Sequence, residues 1–160
     1  VYFVPALTGL GAPYWCAEAR GALLGIGRDT EAGHVVRAAL EAQAFQTRDL
    51  IEAMALDVGR VPALIRADGG LMANQFVCQR IADLVKTTIE VPQITEATAW
   101  GAASLAGLGV GLFDDLEQIA DVWQLRQAYR ANITEQDADA AYSGWQRAID
   151  SVLTAADAID

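Results

Sequence analysis

The chain has a single lysine, a single histidine, two cysteines and four prolines in 160 residues, and most of these shortages exclude a class of chemistry. The lysine, Lys86, follows Val85 and not a glycine, so there is no phosphate loop with a lysine cradle. His34 has no serine or cysteine beside it at a triad spacing. It falls in the first turn of a helical pattern and reads as a structural or solvent-touching residue, not as a base. Cys16 and Cys78 form no Cys-x-x-Cys pair and have no histidine companion pattern. Neither a zinc site nor a disulfide framework is expected, and the two read as reduced thiols of a cytoplasmic protein. Basic residues are scarce, 11 against 21 acids, for a formal charge of −10. That balance argues against nucleic acid or an anionic membrane as partner. From Asp114 onward ten acids face only Arg126, Arg130 and Arg147, most simply a solvated surface. The longest uncharged run, Ala97 to Phe113, falls short of the ~20 residues a membrane span needs.

What is present is enough for one domain with a substantial core, at 53% hydrophobic residues. Val1-Tyr2-Phe3-Val4 opens as a strand without an initiator methionine, and the chain is read as a piece of a longer protein cut at a domain boundary. The Gly-x-Gly pairs at Gly9, Gly25 and Gly107 are none of them a dinucleotide fingerprint. The first lacks its third glycine and has Pro13 where a helix should begin. The informative stretch is Ala67-Asp68-Gly69-Gly70-Leu71-Met72-Ala73-Asn74. It follows the short apolar run Ala63 to Ala67 and precedes a helical pattern expected from about Ala73. Glycine allows positive φ and lets a flat ligand lie against the peptide plane. The following helix offers unpaired N–H groups and a positive dipole end. Asn74, four residues after Gly70, is placed on the first helical turn, within reach of a ligand resting on the glycine. The corner reads as a nucleotide- or phosphate-facing turn, or else as a tight turn that only reverses the chain.

Along the rest of the chain, Pro5 ends the first strand and Thr8 to Trp15 is a turn-rich loop. Gly21 to Ile26 reads as a short buried strand. Thr30 is the expected N-cap of a helix about six turns long, with Val36, Leu40, Ala44, Thr47, Ile51 and Met54 as its apolar stripe. Arg37/Glu41 and Arg48/Glu52 are one turn apart on its opposite side. Pro62 to Ala67 is a strand, and the helix after the corner points Ala73, Val77, Ile81 and Leu84 inward, with Phe76 and Cys78 also packed. Thr87 to Val91 is a strand stopped by Pro92. Glu96 to Leu108 is a small-residue helix expected to lie under a sheet. A short helix runs to about Val122, Gln124 to Asn132 reads as irregular, and Thr134 with Asp137 begins a last helix that buries Ala138, Tyr142, Trp145, Ile149 and Val152. Trp15, Trp100, Trp123 and Trp145 are read as core or interface anchors. The order of elements implies an α/β layer with helices covering a mixed sheet.

Three stretches together resemble a known family. They are Gly21-Ala22-Leu23-Leu24-Gly25-Ile26 followed by His34-Val35-Val36-Arg37-Ala38-Ala39-Leu40-Glu41, the loop Phe3 to Trp15, and Asp68-Gly69-Gly70-Leu71-Met72-Ala73-Asn74. Thr98 to Ala103 fits the helix that follows. The chain resembles the C-terminal half of the FGGY carbohydrate kinases, and the Phe3–Trp15 loop looks like that of the branch acting on glycerol. The resemblance runs from Val1 to about Val152. It implies an actin-like (ribonuclease H-like) ATPase domain, a mixed sheet flanked by helices, with MgATP in a cleft between two such domains. Residues 1–160 are then the nucleotide-binding half, and the substrate domain is elsewhere. By the same resemblance Gly70 lies against the adenine or the adjoining ribose, Asn74 hydrogen-bonds it, and Asp68 and Gly69 shape the turn. The phosphate loops, most of the glycerol site and the catalytic aspartate belong to other parts of the protein, so no residue here is assigned to catalysis. Homo-oligomers are common in the family.

Two positions depart from the pattern. Cys16 stands where the glycerol branch usually has aspartate, and Ala131 to Ala140 does not match a segment that some bacterial members use to bind a sugar-transport regulator. Two further readings stay open: a kinase of the same family acting on another polyol or a sugar, and a non-catalytic actin-like module.

Overall fold

The computed structural model describes residues 1–94 and 96–158. β1 (Tyr2–Val4) pairs antiparallel with β2 (Ala22–Leu24), Tyr2 opposite Leu24, as a ribbon of its own. A second, mixed sheet has the order β3-β4-β5, from Leu64–Arg66, Thr88–Pro92 and Leu125–Tyr129. β3 and β4 are parallel, and β4 and β5 antiparallel. The helices are α1 (Ala32–Val58), α2 (Gln75–Val85), α3 (Ala97–Gly109), α4 (Leu116–Asp121) and α5 (Glu135–Asp157). α1, α2 and α5 pack together, and α1 and α5 both pack on β1. This is the α/β arrangement with a mixed sheet flanked by helices that the sequence implied.

α1 starts one residue later than expected. Glu31 is its N-cap, and the His34 Nδ1 accepts the Glu31 N–H at 3.0 Å. Thr30 instead closes the preceding turn, its Oγ1 accepting from Gly27 N at 2.9 Å. His34 is thus a helix-start residue, in keeping with its structural reading. The buried face of α1 is Ala38, Ala42, Ala44, Phe45 and Asp49; of the stripe read from the sequence, Ala44 is buried and Leu40 and Ile51 pack partly against the core, while its ends Val36 and Met54 are 60% and 58% exposed. α2 lies close against α1. The two Arg–Glu pairs form, at 3.0 Å for Arg37–Glu41 and 2.7 Å for Arg48–Glu52. They do not face away from the core elements. Glu41 also meets Arg80 of α2 at 3.1 Å, and Arg48 meets Asp139 of α5 at 2.9 Å.

The core is built around Trp145, which is fully buried and stacks on Phe45 at 5.3 Å, with Tyr2 5.7 Å from the other aromatic partner. α5 buries Ala138, Tyr142, Trp145, Ile149 and Val152 as the periodicity required. Thr134 caps it, accepting from Asp137 N at 3.1 Å while its hydroxyl donates to Asp137 Oδ2 at 2.6 Å.

Two expectations fail here. Gln124 to Asn132 is not irregular, since it holds β5. Only Tyr129 of that strand is buried, so its sequence carries no alternation to read. α3 is not tucked under a sheet either. Only Ser104 and Gly107 are buried, and Leu105 and Val110 are exposed. A helix of alanine and glycine has little apolar area with which to hold itself against a neighbour. No helix among the described residues is long and apolar enough to cross a membrane.

Candidate functional site

The glycine corner is a rigid piece of backbone. Ala67 N, just past β3, donates to Glu90 O of β4 at 2.9 Å, so the turn begins at the carboxyl end of a parallel strand. Open α/β sheets place ligands at such ends. Gly69 has φ +97°, a conformation that requires glycine. Residues Gly70–Ala73 form one 3₁₀ turn, closed by Met72 N to Gly69 O and Asn74 N to Leu71 O, both at 3.0 Å. Met72 is buried and the Cys78 thiol donates to its carbonyl at 3.4 Å. Ala73, expected to point inward, is exposed, as is Phe76; Met72 takes the buried position because the chain turns 3₁₀ before the α-helix begins.

Asn74 is the N-cap of α2 and not a residue of its first turn. Its Oδ1 accepts from Phe76 N at 3.0 Å and from Val77 N at 3.3 Å. With the oxygen engaged in the cap, the side chain's remaining capacity is the Nδ2 donor pair. Gly70 differs from Gly69. Its φ is not positive, and a Cβ built on it would meet nothing within 4 Å. Within this chain neither backbone angle nor packing requires glycine at that position, and its peptide face is open.

Next to the corner is a cavity of about 400 Å³, between the ends of β3 and β4 and the helices α3 and α4. Of the residues singled out in the corner, only Asp68 lines it; Gly69, Gly70 and Asn74 do not. Trp100, Trp123 and Arg66 do. The Arg66 guanidinium lies 4.1 Å from the centre of the Trp123 ring and 3.6 Å from Glu90 Oε2. Trp100 meets Phe113 edge-on at 6.4 Å. As anchors the tryptophans divide: Trp145 is core, Trp15 is 78% exposed, and the other two form cavity wall. Trp123 could not be placed from the sequence because β5 was missed. Since β5 runs antiparallel to β4, the residues just before it return beside those just after β4, and Gln93 N donates to Gln124 O at 2.9 Å.

The site is therefore a strand–Gly–Gly–helix corner on an α/β scaffold, with an open peptide face at Gly70 and the Asn74 side chain at the head of α2. Over residues 1–110 the chain matches the C-terminal domain of the FGGY family of carbohydrate kinases, and it belongs to that family. It is 55% identical to the glycerol kinase of Nitrosomonas eutropha over 155 residues, 97% of this chain and 31% of that protein. Identity to the glycerol kinase of Rhodospirillum rubrum is 48%, over 96% of this chain and 31% of that protein. Among solved structures, the crystal structure of Plasmodium falciparum glycerol kinase with ADP superposes with a TM-score of 0.82 at 34% identity, covering 95% of this chain and 30% of that one. The actin-like ATPase fold expected from the resemblance is thereby shown. The chain spans about a third of the length of these relatives.

Proposed function

We propose that this chain is the nucleotide-binding C-terminal domain of a cytoplasmic, ATP-dependent glycerol kinase, in which the whole protein transfers the γ-phosphoryl group of ATP to a hydroxyl of glycerol. The observation that carries the reading is Gly70, a glycine that neither its backbone angle nor its packing requires, one turn before an asparagine with an uncommitted amide. The names of the relatives support glycerol as acceptor, and the ADP in one superposed structure supports the nucleotide. In this reading the base or ribose lies on Gly70, Asn74 donates to it through Nδ2, and Gly69 and Asp68 hold the turn. In this reading the magnesium ion arrives with the nucleotide phosphates, and no residue of this chain is assigned to it. The catalytic base, the phosphate loops and most of the glycerol pocket come from other parts of the protein. Phosphoryl transfer depends chiefly on positioning and charge stabilisation, so this domain alone is inactive. The whole enzyme is a homo-oligomer that binds neither nucleic acid nor membrane.

Asn74 has two jobs, and two substitutions separate them. Asn74→Asp keeps an oxygen for both cap bonds and adds a favourable charge at the helix start. It replaces the N–H donor with an acceptor. Calorimetric titration with MgADP is expected to show affinity at least tenfold lower for Asn74→Asp, with an unchanged melting temperature. Asn74→Ala should lose both the affinity and about 1 kcal/mol of stability. Wild-type affinity in Asn74→Asp would remove this residue from the nucleotide site. Turnover of glycerol and ATP by the complete protein tests the acceptor, with a pentulose as the competing substrate.

A further inference from the structure

We propose that the C-terminal end of α1 and the turn that follows it, residues 54–61, form a two-fold interface with a second copy of this chain. Met54, Leu56, Val58 and Val61 are each at least half exposed, Leu56 to 87%. Single exposed hydrophobic residues need no explanation, but several together in one short stretch mark an association surface. The stretch is also held in shape. Gly59, at φ +79°, ends α1 in the left-handed conformation, and its N–H donates to Ala55 O at 2.7 Å. Arg60 and Val61, just past that cap, line two hollows at once. One, of about 430 Å³, is shared with Ala55, Leu56 and Gly59, and the other, of about 420 Å³, with Met54, Val58 and Pro62. Protruding apolar side chains beside open hollows are what a self-complementary surface needs.

Charge identifies the occupant. Asp57 and Arg60 are both exposed, and neither makes an ion pair among the described residues, with each other or elsewhere. Glu52, the other charge at the hollows, is already paired with Arg48 at 2.7 Å. Asp57 lies in the last turn of α1, where the negative end of the helix dipole disfavours an acid, and that turn holds no base to offset it. One unpaired acid and one unpaired base on the same apolar patch are complementary to the patch itself. Under a two-fold axis each contact is made twice, so Asp57 meets Arg60 of the second copy while Arg60 meets Asp57 of that copy. Both charges are then opposed at the rim of an apolar centre. A partner charged with one sign only would leave one of them unmatched. The inference is independent of the nucleotide reading, and it gives the proposed homo-oligomer a surface.

Sedimentation of the complete protein, with substitutions in this stretch and melting curves to check folding, is the test. Leu56→Glu changes the most exposed side chain of the patch and should halve the mass of the assembly. Asp57→Arg and Arg60→Asp each set like charges against each other at both contacts, and each should halve it too. Mixing these two variants is the decisive step. Their reversed charges oppose each other at both contacts, so the full mass should return as a mixed pair, a rescue that no change within one chain can produce. The proposal is overturned if the wild-type protein is a monomer, if folded Leu56→Glu or either charge reversal keeps the full mass, or if the mixture stays dissociated. Full mass in Leu56→Glu would hand the patch to the rest of the protein or to a different one. The MgADP response of Asn74→Asp is a separate readout, so failure here leaves the corner reading standing.

Discussion

Replacing Asp49 by alanine is expected to destabilise the chain by roughly 2–6 kcal/mol, taking ~1–3 for each of the two buried donors left without an acceptor. Asp49 is 4% exposed in the middle of α1. It accepts from the Tyr142 hydroxyl at 2.6 Å through Oδ1 and from Trp145 Nε1 at 2.8 Å through Oδ2. The indole N–H is a donor only, so no other arrangement of Trp145 satisfies it inside the core. The Arg48 guanidinium lies 4.0 Å from the Tyr142 ring centre, which restricts that ring as well. Asp49→Asn should cost less, because its carbonyl can serve Trp145 while its amide donates to the Tyr142 oxygen. Urea unfolding gives the ordering wild type, Asn, Ala. A cycle with Trp145→Phe isolates the indole bond, since the alanine change costs less where no donor is stranded. Equal midpoints for all three chains would mean that water reaches the pair and the carboxylate is not part of the core.

The same residue sets a pH dependence of unusual sign. Burial raises the Asp49 pKa above 3.8, although the bonds from Tyr142 and Trp145 pull the other way. A raised folded-state pKa means that the folded chain holds the proton more tightly than the unfolded one. The contribution is then full below 3.8 and is lost as pH rises towards the folded value. Asp139 does the reverse. Its hydrogen bond from Arg48, aided by Lys86, lowers its pKa, so its contribution is present at neutral pH and disappears as pH falls below the usual carboxylate range. Comparing Asp49→Asn with wild type across the acid range should remove the first slope and keep the second. An unchanged profile would assign the acid-range dependence to other carboxylates.

How much of this was legible depended on what each residue's pattern reports. α5 was read correctly residue by residue because one face is buried and the other polar over its whole length, which is the condition under which periodicity carries information. α1 was located but its face was read only in part: Leu40, Ala44 and Ile51 do meet the core. Its buried side is mainly alanine, and the larger Val36 and Met54, which dominate a hydrophobicity reading, point to solvent. β5 left no signal because an edge strand with one buried residue does not alternate. The corner was legible as a turn in Asp68 to Asn74, because the Gly-Gly pair stands between an apolar run and a helical pattern. The split of labour between its glycines was not legible, since φ +97° at Gly69 and open space at Gly70 are properties of the folded backbone. Trp100 and Trp123 are apart in sequence and meet at one cavity only through the antiparallel return of β5.

Gly144→Ala should destabilise the chain by about 1–3 kcal/mol, against the direction that helix propensity gives. Gly144 is inside α5, where exchange of glycine for alanine ordinarily gains about 1 kcal/mol. Here a Cβ would overlap the ring and hydroxyl of Tyr2. Tyr2 cannot swing away freely. Its hydroxyl donates to Ala141 O at 3.0 Å, its ring lies 5.7 Å from Phe45, and its backbone is paired to Leu24. Moving it forfeits the hydrogen bond, worth about 1 kcal/mol, and loosens the contact between β1 and α5. The glycine is therefore a packing residue, and the two signs can be separated experimentally. In a Tyr2→Ala background the overlap is gone, and Gly144→Ala should then stabilise by up to about 1 kcal/mol. Reversal of sign between the two backgrounds, measured by urea unfolding, ties the effect to this one contact. A stabilising Gly144→Ala in the wild-type background would mean that β1 does not seat on α5, and with it the seating of the loop from Pro5 to Gly21 on the helical core would fall.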